Sequence, residues 1–181
     1  HMDTIICLVG ASGSGKTTSM NLLLNYYEPN SGVIKINDIP VNEIKNLSEI
    51  ITVMRQDAIL FEDTLKNNIT MYQDISDEEV IAILSKVGLD NYANQEGLKL
   101  LIQEGGTNLS GGEKRRITLA RSILRKTPIL ILDEPLVNLD ERNAREIETQ
   151  LLSIRDRTLI IISHQFSLKN INKLDEIIEF K

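Results

Sequence analysis

The 181-residue sequence predicts an α/β fold, a mainly parallel sheet flanked by helices with a small helical subdomain. Three observations lead there. Apolar runs at 4–9, 129–132 and 158–162 are continuous rather than alternating, as in strands buried on both faces. Segments of helical spacing separate these runs, so strands and helices alternate along the chain. From Asp57 to about Asn108 no strand pattern is visible, and Val80, Ile81, Ile83, Leu84 and Val87 recur at helical spacing.

Residues 4–9 (TIICLV) read as a buried strand, and the GASGSGK that follows opens a helix to about residue 25. A strand at 33–37 comes after the turn-forming Pro29, Asn30, Ser31 and Gly32. Residues 50–54 make another short strand, 76–87 a helix and 110–124 a second one. Then come a strand at 129–132, a helix at 140–154, a strand at 158–162 and a last strand at 176–180. This order assigns 3–56 and 126–181 to the α/β core and 57–125 to the helical subdomain, with His1-Met2 a cloning remnant.

Composition excludes several classes. Apolar residues at 41% and charged residues at 25% are an ordinary globular balance, which argues against disorder. The longest apolar runs fall far short of the ~20 residues that a bilayer span needs. A net charge of −6 disfavours a general electrostatic grip on nucleic acid. Cys7 is the sole cysteine, so no internal disulfide can form, and its apolar surroundings predict a buried thiol. Outside the remnant His164 is the only histidine, which excludes a histidine-rich metal site.

Seven of the ten glycines fall in two windows, Gly10, Gly13 and Gly15, then Gly105, Gly106, Gly111 and Gly112, and these direct the search for a site. In the first, Gly10, Ala11, Ser12, Gly13, Ser14, Gly15, Lys16 and Thr17, followed by Thr18, satisfy G-x-x-x-x-G-K-[ST] between a strand and a helix. Glycines there let backbone amides converge on a phosphate at a helix N-terminus. Lys16 adds a point charge for the β and γ phosphates, and Thr17 offers the hydroxyl oxygen that Mg²⁺ prefers. The fold class sharpens to that of a P-loop NTPase.

The run ILILDE places Asp133 and Glu134 at the carboxyl end of a buried strand, where ligands of open α/β sheets bind. Asp133 suits Mg²⁺, directly or through water, and Glu134 could polarise a water for attack on the γ phosphate. The second window, LSGGE, makes a capping box of Ser110 and Glu113 for the following helix. A cap does not account for Gly111 and Gly112, since a helical glycine costs about 1 kcal/mol against alanine. A phosphate approaching that backbone does account for them. Lys114, Arg115, Arg116, Arg121 and Arg125 read as a solvated helix face rather than an anion site.

LSGGE followed by KRRITLARSIL resembles the signature motif of the ATP-binding cassette (ABC) superfamily. The phosphate loop and LILDEP resemble its other two diagnostic motifs in order and approximate spacing. Gln56, Asn138-Leu139-Asp140 and Ser163-His164 resemble its Q-loop, D-loop and switch-histidine loop, and the likeness covers nearly the whole chain. Residues 61–69 (FEDTLKNNI) and 104–110 (EGGTNLS) resemble exporter-type cassettes.

The resemblance implies that Gly10 to Thr18 bind the triphosphate of ATP, with Thr17, Gln56 and Asp133 holding Mg²⁺. It implies Glu134 as general base or water-orienting carboxylate, Lys16 on the phosphates, and His164 against the γ phosphate. It further implies that Ser110, Gly111 and Gly112, with Asp140 nearby, meet the ATP of an opposing cassette, expected to be a second copy. Closure around ATP would drive the transmembrane domain of an exporter, on the same polypeptide or another subunit, at the cytoplasmic face of the cell membrane. Regions 56–69 and 104–107 would pass the motion on.

Family members usually carry an upstream strand pair with an aromatic that stacks on adenine, roughly two dozen residues before the phosphate loop. Only residues 3–9 and the remnant precede Gly10 here, which leads to the expectation of a truncated or short cassette with weak ATP binding and slow hydrolysis in isolation. Two other readings compete, a soluble cassette in translation or DNA maintenance and a catalytically idle nucleotide-binding assembly module. Neither coiled-coil insertions nor basic arms are visible for the first, and an intact Glu134 and His164 oppose the second. A small-molecule kinase would have no use for the second glycine window.

Overall fold

The computed structural model describes residues 4–55, 59–137, 139–163 and 168–181. The first apolar run forms β1 (Ile5–Gly10), and Gly15, at φ 99, turns the chain into α1 (Lys16–Leu23). Only glycine takes that left-handed conformation without a steric cost. The strand predicted over 33–37 contracts to β2 (Lys35–Ile36), which pairs at once with β3 (Ile39–Pro40). Asn37 and Asp38 between them have φ 47 and 66, the two left-handed central positions of a tight hairpin turn. α2 (Leu47–Ile50) then leads into β4 (Ile51–Met54).

The middle of the chain holds β5 (Asp63–Thr64), α3 (Leu65–Thr70), α4 (Asp77–Lys86), α5 (Gln95–Leu98), β6 (Leu101–Ile102) and α6 (Gly111–Leu124). Ser76 caps α4 and Thr64 caps α3, each side-chain oxygen accepting a backbone N–H of the first turn. The expectation that no strand lies in this region is corrected: β5 and β6 pair antiparallel, with Asp63 opposite Ile102. A two-residue strand is too short to show any period, and only the tertiary fold brings its partner alongside.

The chain closes with β7 (Ile129–Asp133), α7 (Glu141–Leu152), β8 (Thr158–Ser163) and β9 (Glu176–Phe180). Five strands form one parallel sheet in the order β4-β7-β8-β1-β9. Alternate residues of β7 feed different layers. Leu130 and Leu132 join a cluster with Ile5, Cys7, Leu84, Ile117, Leu119 and Leu151, whereas Ile131 packs with Met20, Ile51 and Ile162. The sheet is thus packed on both faces at β7, as its unbroken apolar run requires, while β9 at the edge stays exposed from Glu176 to Glu179. Cys7 is buried, and its thiol is pushed up to about 11, first by burial and then by the charge of Glu148. It is inert as a nucleophile near neutral pH.

Register decides where the site lies. β8 sits between β7 and β1, with Val9 opposite Ser163 and Asp133 opposite Ile162. The carboxyl ends of three neighbouring strands therefore reach one edge of the sheet, the edge at which open α/β sheets bind ligands.

Candidate functional site

The loop after β1 wraps around the amine of Lys16, the first residue of α1 and 5% exposed. Its Nζ donates to the carbonyl oxygens of Gly10 and Ala11, both at 2.7 Å, and to Ser14 Oγ at 3.4 Å. These bonds hold the two ends of the loop together and leave Ser12, Gly13, Gly15, Thr17 and Thr18 lining a cleft. Gly10 has a further reason to be glycine. A Cβ there would lie 2.5 Å from the carbonyl oxygen of Phe180, the residue opposite it on β9.

The same cleft, about 490 Å³, is lined across from the loop by Asp133, Glu134, Val137 and Ile162. Asp133 ends β7, and Glu134 begins the turn after it at φ 55. A left-handed glutamate costs of order 1–3 kcal/mol, which surrounding contacts must offset. Glu134 N–H donates to Ile162 O at 2.9 Å, and the residue is 7% exposed. The fold thus gathers Lys16, Thr17, Thr18, Asp133 and Glu134 around one cavity. Gln56 and His164, named by the sequence as further members, lie outside the described residues, as does Asn138.

Ser110, Gly111, Gly112 and Asp140 do not line this cleft. The predicted capping box is present: Glu113 N–H donates to Ser110 Oγ at 3.2 Å, and Ser110 N–H donates to Glu113 Oε2 at 2.8 Å. Gly111 is exposed at the head of α6, and a Cβ added there would meet no described atom within 4 Å. Neither packing against the described residues nor a left-handed backbone explains that glycine. Asp140 caps α7 by accepting from Asn143 N–H at 3.1 Å, a bond that holds its carboxyl below the usual range.

Two residues tied to these motifs were missed in the sequence. Tyr92 donates its phenolic hydrogen to Glu113 Oε1 at 2.6 Å and so braces the capping box. Arg115 is 8% exposed and donates to backbone carbonyls of the turn that carries Glu134. The reading of the basic cluster as a solvated face is therefore corrected for Arg115. It is corrected for Arg121 as well, whose guanidinium donates to Asn68 O at 2.7 Å and Ile59 O at 3.1 Å. α6 is wedged between the α/β core and the other middle helices, so most of its surface is covered. The signal available was spacing, since Arg115, Leu119 and Ser122 share one helical stripe.

The side-chain oxygens lining the cleft are the hydroxyls of Ser12, Thr17 and Thr18 and the carboxylates of Asp133 and Glu134, hard oxygens that suit a magnesium ion retaining water and phosphate ligands. Among the described residues there is no cluster of three or more His, Cys, Asp and Glu that would cage a metal alone. Such a cleft fits a nucleoside triphosphate whose own oxygens complete the shell.

Comparison with known proteins agrees. The ABC transporter family matches residues 1–137. The chain belongs to that family. It is 38% identical over 169 residues to an ATP-dependent lipid A-core flippase of Thiobacillus denitrificans, covering 90% of this chain and 29% of that protein. It is 36% identical over 179 residues to the lactococcin-G-processing and transport ATP-binding protein LagD of Lactococcus lactis, covering 96% of this chain and 25% of that protein. Its fold matches a bacterial Atm1-family ABC exporter solved with ATP bound at a TM-score of 0.88 and 32% identity, over 99% of this chain and 32% of that one. The chain therefore spans a third or less of each of these proteins, and is a nucleotide-binding ABC domain of P-loop NTPase fold. Among the described residues no helix is long and apolar enough to cross a membrane.

Proposed function

We propose that this chain is the ATP-hydrolysing cassette of an exporter, pairing with a second copy around ATP and driving a transmembrane domain at the cytoplasmic face of the cell membrane. The observation that carries the reading is the joint lining of one cleft by Lys16, Thr17, Asp133 and Glu134, while the Ser110–Gly112 turn lies outside it. An amide-rich turn with no phosphate of its own chain to meet is suited to the nucleotide of another chain. Residues 57–125 act as the helical subdomain that presents this turn, against an α/β core of 3–56 and 126–181. Regions 56–69 and 104–107 pass its movement to the transmembrane partner.

In this reading the loop amides from Gly10 to Thr18 hold the triphosphate, and Lys16 exchanges its carbonyl acceptors for β and γ oxygens. Thr17, Asp133 and Gln56 hold Mg²⁺, which neutralises charge on the β and γ phosphates when bound. Glu134 orients a water and takes its proton as the water oxygen bonds to the γ phosphorus. The bond to the bridging oxygen breaks, releasing ADP and inorganic phosphate. His164 hydrogen-bonds the γ phosphate, and Asp140 lies near the facing copy.

Replacing Glu134 with Gln tests this. Turnover is expected to fall by about 100-fold or more, with MgATP-dependent dimers accumulating on gel filtration. Unchanged turnover would remove Glu134 from its role, and a chain that stays monomeric with MgATP would remove the pairing.

A further inference from the structure

The catalytic turn is held from two sides. β8 accepts Glu134 N–H at Ile162 O, 2.9 Å away. On the other side stands Arg115, in the second turn of α6, the helix whose N-terminus carries Ser110, Gly111 and Gly112. Its Nη2 donates to the carbonyl oxygens of Glu134 and, at 3.2 Å, of Asp133, and its Nε lies 3.4 Å from that of Pro135. Three consecutive carbonyls of the turn thus face one guanidinium, whose planar fork of five donors suits such an array. The group stays charged at neutral pH. Burial holds its pKa below the ordinary arginine value, with the charges of Glu134 and then Asp133 offsetting only part of that.

Phosphate recognition does not explain this arginine, because it lies outside the lining of the cleft. Nor is it surface solvation, because it is 8% exposed. What its contacts do is oppose relaxation of Glu134 from φ 55. We infer that Arg115 is a positioning residue for hydrolysis: it holds the 133–135 turn so that the Glu134 carboxylate keeps its place in the cleft, and it ties that place to the helix bearing the signature turn. A shift of α6 when Ser110–Gly112 meets a nucleotide is then passed to the carboxylate of the same chain. This rests on the hydrolytic role proposed for Glu134.

The test compares Arg115→Ala and Arg115→Lys with the unaltered chain by ATP turnover and by amide hydrogen exchange without nucleotide. Arg115→Ala is expected to lower kcat by about tenfold or more while KM for ATP stays within about twofold, with Arg115→Lys intermediate. Millimolar guanidinium, and not sodium at equal ionic strength, restores part of the rate to Arg115→Ala and none to Glu134→Gln. Exchange is expected to quicken at the amides of Glu134 and Val137, the latter bonded to Glu134 O at 3.3 Å, with the rest of α6 protected as before.

The proposal is overturned by an unchanged kcat in folded Arg115→Ala, by a KM rise that matches the kcat loss, or by unaltered exchange at Glu134 and Val137. Failure of both variants to fold would make Arg115 a residue of the core alone and overturn it equally. If the unaltered chain turns over no ATP, the hydrolytic reading of Glu134 is what fails, and the exchange result alone then decides the positioning.

Discussion

Tyr92 Oη lies 2.6 Å from Glu113 Oε1, so the glutamate that closes the capping box of α6 is itself held from the 3₁₀ turn at Asp90–Tyr92. That carboxylate also accepts from Ser110 N and Ser110 Oγ. Tyr92 first, and then Ser110, hold its pKa below the ordinary 4.5, while Glu113 raises that of Tyr92 above 10.

The sign of the pH dependence follows. A depressed carboxylate contributes stability that is present above its unfolded value and lost as pH falls through the lower folded one. The raised tyrosine contributes below 10 and is lost as pH climbs through its folded value. Tyr92→Phe is expected to lower stability by about 1 kcal/mol at neutral pH, with the difference shrinking near pH 3. Urea unfolding midpoints at the two pH values measure it, and an equal difference at both would rule out the ionised pair.

Lys16→Met removes the charge and the internal bonds to Gly10 and Ala11 together. The ATP dissociation constant is expected to rise by more than about tenfold, which corresponds to about 1.4 kcal/mol. Titration calorimetry reads this directly. Affinity within twofold of the unaltered chain would show the amides alone to be sufficient.

Gly111→Ala separates stability from pairing. Alanine meets no described atom at this helical position and is a better helix former by roughly 0.5–1 kcal/mol. The melting temperature is expected to hold or rise, while MgATP-dependent dimers weaken in a Glu134→Gln background. Full dimerisation with the added methyl would mean that no body approaches Gly111 closely.

Leu84 in α4 and Leu132 in β7 are both fully buried in one cluster, although one lies in the helical region and the other in the sheet. Truncating either to Ala is expected to cost about 2–5 kcal/mol. Both should lower a single calorimetric transition, since the two regions share their core. Two separated transitions in either variant would instead show independently melting units.

Much of the site was legible because local chemistry dictates it. A phosphate loop needs glycines, a lysine and a threonine at fixed spacing, whatever surrounds them. Ser110 and Glu113 were readable as a capping box because a cap acts on a backbone N–H three residues away. The hairpin at Asn37 and Asp38 is within reach of the sequence too, since both residue types tolerate left-handed φ.

By itself, then, the sequence determined the parallel sheet, the phosphate loop, the acidic strand end and the two glycine windows, because each follows from periodicity or from contacts between near neighbours. Only the tertiary structure decided which faces of α6 see water and which distant groups meet. Arg115 is charged, so a rule that reads residue type alone sends it to solvent. It is buried because the end of β7 and the turn after it bring three carbonyls to it, and the helical stripe it shares with Leu119 and Ser122 marks a covered face without naming that partner.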